Sequence, residues 1–329
     1  MNTATKRSRF SVQSKGLPFR ITRNDLDILD LVQQFEPMAS THLIALLDDP
    51  SAQYVKNRLT ILRHEAKVLE VPHASWHAAN ARYRPAVYQL TDKGREVLMQ
   101  HGRYRRHFPT SEAFMHKFGV AITAASFAIG VKQYPMLRLH DHEAILGSKR
   151  CPPSTRQSKT PFKIPLTFNY HYSVRGQKRH KELDTFVIHD GKPMGITNAE
   201  QPDKQIFFPG MEFDRHTERR TSEDYSATTT QKKIQEIRAI AAQDGYAGRY
   251  GIPNTFIPFV TIDESRMRSI MDDVDQVTKG RGSEMLLFKH IPDFASFESF
   301  APADGSMQTT PWKRVGYPDF NILTELGVQ

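Results

Sequence analysis

AQYVKNRLTILRHEAKVLEV (residues 52–71) and AVYQLTDKGREVL (residues 86–98) are the two stretches on which the fold of the first third of this chain turns. In the first, Val55, Leu59 and Leu62 recur at helical spacing, which predicts an amphipathic helix from Ala52 to about Ala66. The other face of that helix carries Gln53, Tyr54, Lys56, Asn57, Arg58 and Arg63. Amides suit base edges and cations suit phosphates, so this set of side chains fits a helix lying in a DNA major groove. KVLEV and AVYQLT are strand-like and enclose a loop from Ala78 to Pro85. They predict a hairpin with Arg82 and Arg84 near its tip, within reach of a flanking backbone. Thr91 then caps a last helix, DKGREVLMQHG.

Working outward, Thr22 and Asp25 supply an N-cap and an acidic first turn for NDLDILDLVQQF. Leu26, Ile28, Leu29, Val32 and Phe35 keep the helical period there. Pro37 follows this helix, and Ser40 caps a shorter one, THLIALL, which Pro50 ends. Three helices, a hairpin and a closing helix make up the order of a winged helix-turn-helix domain. The region resembles such domains closely, including the Leu-Thr-x-x-Gly segment that opens the helix after the wing, here Leu90, Thr91 and Gly94. The resemblance implies double-stranded DNA as partner.

Charge agrees with that division. The 329 residues carry 45 Lys and Arg against 36 Asp and Glu. Residues 1–109 hold 17 basic and 10 acidic side chains, and the remainder is close to neutral, so a polyanion-binding module is joined to something else. No apolar run approaches the ~20 residues that span a bilayer, and the basic N-terminus has no apolar segment behind it, so no membrane partner is expected. The single cysteine, Cys151, can form no internal disulfide and leaves no cysteine-based zinc site, which points to the cytoplasm.

RYRRHFP closes the first module. A long helix rich in small residues follows, TSEAFMHKFGVAITAASFAIGVKQYP, then a strand, MLRLHDHEAIL, carrying Glu143, then a basic loop, residues 147–163. The strands KELDTFVIHDGK, ending in an Asp190-Gly191 turn, and KQIFFPGMEFDRHTE come next. The helix ATTTQKKIQEIRAIAAQ, the strand TFIPFVTID, the helix ESRMRSIMDDVDQVTK and the strand EMLLFKHI complete an α/β module built on a mixed sheet. The tail from Pro292 has no periodicity and is expected to wrap the surface. Aromatics such as Phe168, Tyr170 and Phe208 read as core. His140 and His142 share a face of the strand MLRLHDHEAIL but lack zinc-ligand spacing, and read as surface histidines.

This element order resembles the restriction-endonuclease-like, or PD-(D/E)xK, fold, in which an acidic pair sits on consecutive strands, here Asp184 and Glu212. The resemblance implies that this pair shares a Mg²⁺ ion, which activates water against a phosphodiester; Asp214 is a candidate to assist, although a further negative charge without a nearby lysine repels the phosphate. The motif's lysine position holds Asp214 instead, so Lys232 or Lys233 on the next helix is the candidate cation, with Arg215 a weaker substitute.

The combination resembles the replication-relaxation family of plasmids, phages and other mobile elements, which joins a winged helix to a nuclease-like domain. The matching residues are Tyr88 to Gly94, then Glu212, Asp214, Arg215, Thr217 and Glu218, then Lys233-Ile234. The likeness covers Thr22 to Val274, and Leu183-Asp184 departs from the family's frequent Pro-Asp.

The expected organisation is therefore a basic leader (1–16), a winged helix-turn-helix (17–107), a nuclease-like domain (108–291) and a tail (292–329). Function follows as DNA binding in replication, relaxation or transfer of a mobile element, with a divergent or non-catalytic nuclease-like domain. Two alternatives stand beside it: a Mg²⁺-dependent endonuclease or nickase, and a repressor of its own operon. A homodimer reading paired half-sites stays open, since no coiled coil marks one.

Overall fold

The computed structural model describes residues 12, 14–47, 51–73, 85–106, 113–215, 219–253, 255–291 and 302–328. The fold is mixed α/β, with helices and several small sheets, and it divides into two compact units. One comprises residues 1–129 and 296–305, the other residues 130–295 and 306–329.

In the first unit, α1 (Arg23–Gln34) opens on a complete capping box. Thr22 accepts from the Asp25 backbone, and Asp25 accepts from the Thr22 backbone. Then come β1 (Met38–Ala39), α2 (Ser40–Leu46), α3 (Ala52–His64), β2 (Leu69–Glu70), β3 (Val87–Leu90) and α4 (Asp92–Gln100). The strands form an antiparallel sheet in the order β1-β3-β2, with Leu69 opposite Leu90 and Met38 opposite Tyr88. Leu29, Leu43, Val55, Leu59, Leu62 and Leu98 are all buried, so the apolar faces read from the sequence meet in one core.

Thr91 caps α4 by accepting from the Gly94 backbone, and Gly94 has a further reason to be glycine. A Cβ there would lie 2.2 Å from the Val68 carbonyl oxygen. Arg103 and Arg105, after α4, fold back to pair with Asp27 and Asp30 of α1, so this basic segment is committed to the unit's own surface.

α5 (Phe114–Lys132) corrects one expectation. It is long and apolar enough to cross a bilayer, although Gly, Ala, Ser and Thr dilute any single apolar run. Two-thirds of its most apolar window (67%) is buried inside the protein, as in a core helix.

The second unit begins with β4 (Leu137–His140), followed by α6 (His142–Gly147), so Glu143 and His142 lie on a helix and not on the expected strand. His140 hydrogen-bonds Thr197, while His142 is buried, so the two do not share a strand face. The expected loop contains α7 (Pro153–Arg156) and the buried Cys151, and Arg249 clasps the Thr160 and Pro161 carbonyls.

β5 (Ile164–Val174) and β6 (Gln177–Val187) form a long antiparallel ribbon. β7 (Met194–Asn198) and β8 (Gln205–Phe208) join β4 in a sheet of order β4-β7-β8. β9 (Glu212–Asp214), α8 (Thr230–Ala242), α9 (Gly245–Tyr250), β10 (Ile257–Thr261), α10 (Glu264–Thr278) and β11 (Ser283–His290) follow. β9, β10 and β11 are parallel neighbours.

The tail does more than wrap the surface. After α11 (Ser306–Thr309), β12 (Lys313–Val315) adds an antiparallel edge strand beside β11, and α12 (Ile322–Glu325) ends the chain. Trp312 is fully buried and donates its indole N–H to the Met307 carbonyl. α8 is central to the unit's core: Ile234, Ile237 and Ile240 pack with Ile164, Leu166, Phe168 and Tyr170 of β5.

Candidate functional site

On the first unit, the exposed face of α3 presents Gln53, Tyr54, Lys56 and Asn57, joined by Thr60, whose position was not singled out in the sequence. Gln53 donates to the Asn57 side-chain oxygen at 2.9 Å, which leaves the Asn57 amide hydrogens outward. Two members of the predicted set leave this face. Arg63 is buried, because it falls four residues after Leu59 and so on the apolar side. Arg58 turns inward to hold the fully buried Asp25 in a bidentate pair, at 2.8 and 2.5 Å. That pair fastens α3 to the start of α1, and the carboxylate in turn raises the Arg58 pKa. Arg82 and Arg84 lie outside the described residues.

In the second unit Glu212 lies in a buried polar cluster, but its expected partner Asp184 does not join it. Asp184 lies exposed on the β5–β6 ribbon, where Thr167 donates to it at 3.2 Å. Asp190 takes its place. The chain after β6 continues the in-out alternation, with Val187 and His189 buried and Ile188 exposed, and Gly191 bridges Met211. This lays residues 189–191 beside the entry to β9, where the Phe213 N–H donates to Asp190 Oδ2 at 2.8 Å.

Lys233 reaches in from α8, with its ammonium 2.8 Å from Glu212 Oε2 and 3.8 Å from Asp190 Oδ2. Lys232 instead donates to the Tyr225 carbonyl. Asp214, two residues along β9, is drawn into a separate buried ion pair with Arg266 at 2.6 Å, and Arg266 also donates to Thr230. The structure thus brings Glu212 and Lys233 together and leaves Asp184 and Asp214 out.

His189, Tyr246 and Glu236 were not foreseen. His189 Nδ1 lies 2.6 Å from Glu212 Oε1, and its Nε2 lies 3.1 Å from the Tyr246 hydroxyl. Burial pushes the Tyr246 pKa well up, so its O–H stays protonated and can donate to Nε2. With a proton on Nδ1 the ring donates to Glu212 Oε1 and accepts from Tyr246 at Nε2. Gly210 admits this ring, since a Cβ there would lie 2.3 Å from the imidazole Cγ.

Glu212 is 2% exposed, and burial raises its pKa against the opposing pull of Lys233. Glu236, one turn after Lys233, is pushed up to about 7 by burial, with Lys232 opposing and Glu212 adding to the rise. One local signal, the alternation running through Val187 and His189, could have revealed His189. The sequence reading assigned Asp190 to a turn.

A metal held by this site would need free carboxylate oxygens. Here both Glu212 oxygens are engaged, one by imidazole and one by ammonium. Among the described residues, no group of three or more His, Cys, Asp or Glu is placed to hold a metal ion. In this arrangement the residues do not fit Mg²⁺. The cluster is an internally paired network of ammonium, two carboxylates, imidazole and phenol.

No family model, no curated protein and no solved structure matches this chain.

Proposed function

We propose that this protein binds double-stranded DNA through a winged helix-turn-helix in its first unit, with α3 as the helix that enters the major groove. The observation that carries the reading is the outward row Gln53, Tyr54, Lys56, Asn57 and Thr60. That row sits on a helix whose other face is held by an apolar core and by the Arg58–Asp25 pair. Amide and cation side chains on one face, with no carboxylate among them, suit both base edges and phosphates. The antiparallel pairing of β2 with β3 supports reading the two strands as the base of a wing.

The second unit reads as a divergent nuclease-like domain in which Asp190, Glu212 and Lys233 form a closed structural cluster. With the resemblance to replication-relaxation proteins, this supports a role in replication, relaxation or transfer of mobile DNA, carried out by binding. A Mg²⁺-dependent nickase is the second reading, suggested by two carboxylates and a lysine near one point, and it requires Glu212 to exchange its present Lys233 and His189 contacts for the metal.

Supercoiled plasmid incubated with the protein in Mg²⁺, Mn²⁺ or EDTA separates the two. We expect retarded plasmid in native gels and unchanged topology after deproteinisation. Metal-dependent open circles, lost in Glu212→Ala, would make the protein an enzyme. Absence of any retardation would overturn DNA binding itself.

A further inference from the structure

The β5–β6 ribbon carries a charge pattern that the core does not require. Each strand has 11 residues, roughly 35 Å at ~3.3 Å per residue. Near its base, Ile164, Leu166, Phe168 and Tyr170 pack on α8, so this half of the ribbon is fixed. Gln235 of α8 fastens it further by pairing with both the N–H and the carbonyl of His171. Beyond Tyr172 the ribbon leaves α8 and is touched by Glu223 and Tyr225, and every residue from Arg175 to Glu182 is exposed.

That free end reads Arg175-Gly176-Gln177-Lys178-Arg179-His180-Lys181-Glu182, with four Lys or Arg against one Glu. The cross-strand register puts Lys178 opposite Ser173 and Arg179 opposite Tyr172, so the cations occupy both faces of the ribbon. Lys181 stacks over the Tyr225 ring at 3.7 Å, and Glu223 accepts from the Arg175 backbone N–H. The ribbon's own tip carries one carboxylate, Glu182, and the adjoining segment brings Glu223 and Asp224 beside it.

The turn adds a second observation. Arg175 and Gly176 both take positive φ, 48° and 77°, as the two central residues of a tight hairpin turn. Asn, Asp or Gly suit the first of these positions, and a long cationic side chain there costs about 1 kcal/mol or more. A cationic side chain therefore stands at the very tip despite the preference of the backbone.

We propose that the free half of this ribbon is a second DNA-contacting surface, gripping the phosphate backbone of duplex DNA independently of α3. A two-stranded ribbon fits a groove about 12 Å wide, and cations on both faces meet phosphates on either side of it. The inference rests on the reading that the protein binds DNA.

The test uses the full chain and a fluorescein-labelled duplex, with anisotropy followed between about 50 and 200 mM salt. The variant combines Arg175→Asn, Lys178→Gln and Arg179→Gln. Asn suits the turn, so thermal stability should hold or rise while contacts are lost. Each lost phosphate contact lowers the slope of log affinity against log salt by about 0.9, so a fall of roughly 2–3 is expected. An unchanged slope and affinity, in a preparation where Lys56→Ala still weakens binding, would overturn the ribbon's role alone. Failure of the parent protein to bind the duplex at all would overturn DNA binding and the ribbon inference together.

Discussion

The Lys233 ammonium lies 2.8 Å from Glu212 Oε2 and 3.8 Å from Asp190 Oδ2, and so ties α8 to β9 and to the segment after β6 through one charge. Glu212 has almost no access to water, so this contact decides whether its carboxylate can remain ionised.

Removing the ammonium should therefore be costly. Lys233→Met leaves a buried charge without its partner, and loss of about 3–5 kcal/mol is expected. Adding Glu212→Gln removes the stranded charge and should recover much of that loss. Urea unfolding followed by Trp312 fluorescence, in a Trp76→Phe background, reads the second unit directly. A Lys233→Met protein as stable as its parent would mean that the contact is incidental.

The same burial sets a pH dependence. Glu236 has its pKa raised from 4.5 to about 7 in the folded protein, and Glu212 is shifted in the same direction. Between those values the folded chain keeps a proton that the unfolded chain has released. Stability then falls as pH rises from about 4.5 to about 7, and levels off above. Glu236→Gln should flatten part of that slope, measured as midpoint against pH. An identical slope in the variant would show that Glu236 is not the titrating group.

Asn57 and Arg58 are neighbours with opposite assignments. Asn57→Ala should leave thermal stability within about 0.5 kcal/mol, as for a surface substitution. It should weaken binding to a preferred DNA sequence by about 1–3 kcal/mol. Arg58→Ala should destabilise the first unit by several kcal/mol, on the order of 3, because it strips the partner from the buried Asp25. Equal effects of the two substitutions on stability would contradict the split.

Gly94 tests the first unit's packing. Alanine there drives a methyl group into the Val68 carbonyl, and a loss of about 1–3 kcal/mol is expected. Met99→Ala on the same helix is a control, since Met99 is 60% exposed and its loss should change the midpoint little.

Much of this was legible in the chain itself, wherever the signal was local. Thr22 and Asp25, Thr91 and Gly94, and the apolar rows of α1, α3, α8 and α10 depend on neighbours within one or two turns. Glu212 and Lys233 were named through the resemblance of the element order to a nuclease-like fold, not from a local period. Asp190 was not legible, because its place is set by the bridge of Gly191 to Met211, a pairing across twenty residues that turn chemistry cannot reveal. Arg63 was misplaced for a simpler reason: side-chain type outweighed a helical position in register with Val55 and Leu59. The tail hid its edge strand because three residues are too few for a period to emerge.

The central claim is that α3 reads DNA, and selection from a randomised duplex library tests it most directly. The parent protein should enrich one motif, and Asn57→Ala, folded and equally stable, should relax that motif at one or two positions. No enrichment by the parent, or the same motif at the same affinity in both Asn57→Ala and Lys56→Ala, would contradict the account.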